Sequence, residues 1–68
     1  MESQVSKRFD EAIEQAYVAV QDDDLRRAAD AYLRAHRIFS QSEQITSLDW
    51  REQAHNRLKK VYDVLREE

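Results

Sequence analysis

Apolar residues recur along this chain at three- and four-residue spacings in three separate stretches, the period of a helix with one buried face. In the first, over about residues 3–21, Val5, Phe9, Ala12, Ile13, Ala16 and Val20 share a face, and Lys7, Glu11, Glu14 and Gln15 occupy the opposite one. The stretch stops at Asp22-Asp23-Asp24, where three carboxylates meet the negative end of a helix dipole. The same acids suit the start of the next helix, with Asp23 or Asp24 as N-cap.

The second stretch covers about residues 25–40, with Leu25, Ala28, Ala29, Tyr32, His36 and Phe39 in one stripe. Ala31, Ala35 and Ile38 widen it on one flank and Leu33 on the other. At 100° per residue the apolar arc spans about 220°, which predicts neighbours on two sides. Arg26, Arg27, Asp30, Arg34 and Arg37 form the narrow polar face. A polar connection over residues 40–46 follows, where Ile45 is placed to staple onto the third helix. Thr46 or Ser47 caps that helix, over about residues 48–66, and Thr46 with Asp49 approximates a capping box. Its stripe is Trp50, Ala54, Leu58, Val61, Tyr62 and Leu65.

Composition strengthens the helical reading. The 68 residues include no glycine and no proline, so tight hairpin turns lack their usual residues. Helices of this length with short joints pack antiparallel. The expectation is one domain over residues 1–68, an all-α, up-down-up three-helix bundle with the second helix central. Such a short chain buries only about 60% of its unfolded surface. Without cysteine there is no disulfide, thiolate metal site or cysteine nucleophile. No apolar run approaches the roughly 20 residues of a membrane span, and the start lacks the features of a secretory signal; a cytoplasmic location is expected. Net charge is −3, unevenly spread: residues 1–24 carry seven acids against two bases, and residues 25–42 carry four arginines against Asp30.

The joint Asp23-Asp24-Leu25-Arg26-Arg27-Ala28, followed by Tyr32 and Ala35, resembles the centre of a tetratricopeptide repeat. On that alignment Leu25, Ala28, Tyr32 and Ala35 match the repeat's packing positions, and Asp23 stands where the repeat has its turn glycine. The Trp and Leu-Gly positions of the repeat's first helix are missing, and there is no second copy. A pair of such helices backed by a third is also similar to the microtubule-interacting and trafficking domain, through Ala12-Ile13-Glu14, residues 28–32 and the apolar third helix. Either resemblance implies a protein-binding module.

The chemistry-bearing residues agree with binding. There is no glycine-rich phosphate loop, nucleophile elbow or His-Glu-x-x-His pair, so neither catalysis nor a cofactor is expected. His36 and His55 could meet across the bundle, but two histidines without further ligand spacing do not define a metal site. Buried neutral, they would cost stability on charging as pH falls from 7 to 5. Arg26, Arg27, Arg34 and Arg37 suit acidic side chains or the terminal carboxylate of a peptide; the bland alternative is a solvated face with Arg26–Asp30 and Asp30–Arg34 pairs. Four arginines on an acidic protein make a thin nucleic-acid surface. Tyr17, Trp50, Val61 and Val64 are candidate linings of a groove between the first and third helices for an amphipathic partner helix, with a further groove beside the second and third. Self-association into a homodimer, burying Val18 and Ile38, is the principal rival reading.

Overall fold

The computed structural model describes residues 2–42 and 47–67, with side chains over residues 4–42 and 47–67. Three helices make up the fold: α1 (Glu2–Gln21), α2 (Leu25–Gln41) and α3 (Leu48–Glu67). They form an all-α bundle in which α1 packs chiefly on α2, α3 lies against both, and α2 is central. Each helix begins and ends within a residue or so of the periodic stretches.

The joint between α1 and α2 uses three residues for two caps. Asp24 N–H donates to the Ala19 carbonyl at 2.9 Å and Asp23 N–H to the Val20 carbonyl at 3.0 Å. That pair of bonds, with Asp23 at φ 61°, is a Schellman closure of α1. Asp24 then opens α2: its Oδ1 accepts from Arg27 N–H at 3.2 Å and its carbonyl accepts from Ala28 N–H at 3.0 Å. One residue thus ends one helix and starts the next, which leaves no slack in the hairpin. Of the two acids offered by the sequence as N-cap, Asp24 takes the role.

The far end of α2 is closed by Ser42, whose hydroxyl donates to the Phe39 carbonyl at 2.8 Å. Arg51 Nη1 donates to the same carbonyl at 3.4 Å, and its guanidinium lies 4.5 Å from the Phe39 ring centroid, so α3 is tied to α2 near its start. The cap of α3 is Ser47, whose Oγ accepts from Trp50 N–H at 3.1 Å. The expected staple at Ile45 and the Thr46–Asp49 capping box fall outside the described residues.

Among the described residues, seven of the eleven buried apolar ones are alanines: Ala12, Ala16, Ala19, Ala28, Ala31, Ala35 and Ala54. Phe9, Ile13, Leu58 and Val61 supply the bulk. Alanines dominate the α1–α2 seam because small side chains let two helices approach closely, at the cost of modest apolar area per residue. Phe9 fills the remaining space below Trp50, edge to face with centroids 5.3 Å apart.

The second helix corrects the expected stripe. Its buried line is Ala28, Ala31 and Ala35, while Leu25 is 37% exposed, Leu33 61% exposed and His36 exposed. The helix turns its alanine flank to α1, since that flank admits the closest packing. Tyr32 and Phe39 are left half-buried toward α3, and Leu25 and His36 fall past the edge. Ala19 joins the α1 core and Tyr62 leaves that of α3, at 49% exposure. With both histidines exposed, the expected loss of stability on acidification has no buried neutral imidazole to act through.

The left-handed conformation of Asp23 costs a β-carbon-bearing residue about 1–2 kcal/mol in general, aspartate less than most. Asp23→Gly should therefore raise stability by about 0.5 kcal/mol, net of the added freedom of the unfolded chain. Asp23→Val should lower it by about 1 kcal/mol or more, and Asp24→Ala by about 1 kcal/mol through the lost cap. Urea denaturation followed by circular dichroism checks the order Gly above wild type above Val.

Candidate functional site

A concavity of about 490 Å³ lies between α2 and α3. Its existence follows from side-chain size. Where α2 meets α1 the seam is alanine, but where it faces α3 it presents Tyr32, His36 and Phe39, and α3 answers with His55, Leu58 and Tyr62. These large groups hold the two helices apart at one edge. Tyr32 and Tyr62 lean together with centroids 6.2 Å apart, and Phe39 and His55 do so at 6.3 Å, so the groove has an aromatic wall at each end. Leu58, 4% exposed, forms part of its floor. Lys59, Asp63 and Arg66 line the α3 side. The groove is apolar at its base and carries more cationic than anionic groups at its rim.

The expected groove between the first and third helices is not the one that opens. Val61 is 1% exposed and belongs to the core. Trp50 packs on Phe9 and also lies 6.4 Å from the Phe39 ring. Arg57 closes the outside of this seam, ion-paired to Asp10 and lying 5.5 Å from the Phe9 centroid. A concavity of about 130 Å³ remains there. Val61 is thus a core residue, whereas Trp50 packs into a seam zipped by an aromatic pair and an ion pair and also lines this small concavity. Tyr17 is 37% exposed and Val64 half-buried, so these two lie at the surface. The groove beside the second and third helices is the one that opens, and it involves Tyr32, His36, Phe39, His55 and Tyr62, none of which was among the named binding candidates.

All four candidate arginines lie on the exposed side of α2, but they are not equivalent. Arg27 sits 3.8 Å from Asp22 and 3.9 Å from Asp24, exposed pairs of small energetic weight. Arg34 Nη2 donates to Gln15 Oε1 at 2.7 Å. Neither Arg26–Asp30 nor Asp30–Arg34 appears among the ion pairs of the described residues; Arg27 and Arg34 reach across to α1 and the joint instead, since partners there lie closer to their heads. Arg34 and Arg37 flank the exposed Leu33 in an open depression of about 500 Å³.

Among the described residues no group of three His, Asp or Glu side chains could hold a metal ion, and no helix is long and apolar enough to cross a membrane. No family model, curated protein or solved structure matches the chain.

The structural reading of Trp50 separates it from the surface candidates. Trp50→Ala should lower stability by about 2 kcal/mol or more, because the ring is wedged between Phe9 and Phe39. Tyr17→Ala should stay within about 0.5 kcal/mol of wild type. Chemical denaturation of the two variants side by side decides the assignment.

Proposed function

We propose that this chain is a non-catalytic helical interaction module that holds a segment of a partner protein in the groove between α2 and α3. The observation that carries the reading is the groove itself: half-exposed aromatic side chains from two facing helices over an apolar floor. Helix pairs of this kind accept an amphipathic helix or extended segment, whose apolar anchors fill the base while its polar groups meet the rim. Tyrosine suits such a wall, since it offers large contact area with few rotatable bonds and a polar tip that stays hydrated. The resemblance of the α1–α2 joint to tetratricopeptide and microtubule-interacting domains points the same way. An acidic partner segment is the best match, because Lys59 and Arg66 outnumber Asp63 around the opening.

A peptide-library selection against the purified chain, followed by amide-shift mapping with a selected peptide, tests the proposal. Shifts centred on Tyr32, His36, His55 and Tyr62 are expected. Tyr62→Ala should weaken that peptide at least about tenfold, the loss typical of a central aromatic anchor. Because Tyr62 is 49% exposed, the same change should leave the unfolding midpoint close to wild type. Shifts confined to the outer faces of α1 and α2, or a selection that yields no binder, would contradict the proposal.

A further inference from the structure

The side of the α1–α2 hairpin that carries no α3 residue has its charges sorted by helix. Two adjoining concavities run along it, one lined by Glu11, Glu14, Gln15, Val18 and Arg27, the other including Ala12, Arg34 and Ile38. Acids predominate on the α1 edge, through Glu11 and Glu14, and arginines on the α2 edge, through Arg27, Arg34 and Arg37. With Asp22 added to the glutamates, Lys7 and Arg8 offset two of three acids on the α1 edge and Asp30 one of three arginines on the α2 edge, which leaves the two edges opposite in sign. Between the edges lie Val18, 41% exposed, and Ile38, half-buried. The Arg34–Gln15 hydrogen bond joins the two helices along this face, and Arg27 reaches Asp22 in the joint at its end.

We infer that two copies of this chain associate through this face, about a two-fold axis parallel to the helices. The charge sorting selects that axis. Rotation about it exchanges the two edges, so α1 of one copy lies over α2 of the other and each acidic edge meets an arginine edge. A two-fold axis lying in the face but across the helices would set acid on acid and arginine on arginine. The selected arrangement also runs each α1 antiparallel to the facing α2, which the helix dipoles favour. Val18 and Ile38 are carried into the middle, where an isologous contact covers them.

The alanine-rich core supplies the motive for association. A chain of this size with so little large apolar volume buried gains from a second layer of helices. The Cα extents of 34 by 18 Å limit the shared face to roughly 1,000 Å² in total, the lower end of specific interfaces. Association should therefore be reversible and salt-sensitive.

Sedimentation equilibrium across about 10 µM to 1 mM should show the mass rising above that of one 8.1 kDa chain, with weaker association at high salt. Glu11→Lys with Glu14→Lys in one variant, and Arg34→Glu with Arg37→Glu in another, should each weaken self-association at least about tenfold. Mixing the two variants should restore a dimer, since the lysine edges then meet glutamate edges and native arginines meet native glutamates. Recovery on mixing also shows that both variants are folded. A wild type that remains monomeric throughout the range, or variants that fail to pair when mixed, overturns the inference. This face lies apart from the α2–α3 groove, so either result leaves the peptide-binding test independent.

Discussion

Everything in this fold hangs from the three-residue joint Asp22-Asp23-Asp24. Asp23 enters the left-handed region and Asp24 serves both helices, closing α1 through Ala19 and opening α2 through Arg27 and Ala28. With no spare residue, α2 must fold back along α1, and the alanines of both helices then meet in register. Three consecutive acids are poorly suited to the end of a helix and well suited to the start of one. Their presence makes sense once one short segment performs both tasks.

The size of side chains then decides where the molecule is closed and where it is open. Alanine at the α1–α2 seam draws those helices together. Phe9, Trp50 and the Arg57–Asp10 pair seal α1 against α3. The α2–α3 side is lined by tyrosines, histidines and a phenylalanine too large to interlock fully, and a groove remains there. The proposed binding site and the tight hairpin are two results of one distribution of small and large residues around α2.

Much of this was legible in the sequence. Helical periodicity and the missing glycine and proline fixed three helices, their order and their limits, and the acidic joint located the hairpin. Val18, nine residues and so about 180° from Phe9 on α1, is exposed. What periodicity misjudged was direction within a wide apolar arc: Leu25 and His36 share a stripe with Ala28 by angle, yet only alanine permits the closest approach, so the buried line shifted toward Ala31 and Ala35. Val61 lies in the core and not along a groove for a related reason. A residue at the margin of one helix looks available until the facing helix is known, and here Phe9 and Arg57 occupy the opposite side. The pairing of Tyr32 with Tyr62 and of Phe39 with His55 depends on the register between α2 and α3, which no single-helix pattern contains.

The central claim is that the alanine-seamed α1–α2 hairpin is the foundation and α3 the element laid upon it. Native-state hydrogen exchange tests this most directly, because it ranks segments by the free energy of opening. Amides around Ala12, Ala16, Ala31 and Ala35 should exchange only with global unfolding, while those in the second half of α3 should exchange through smaller, local openings. Protection greatest in α3, with the hairpin amides opening first, would contradict the account.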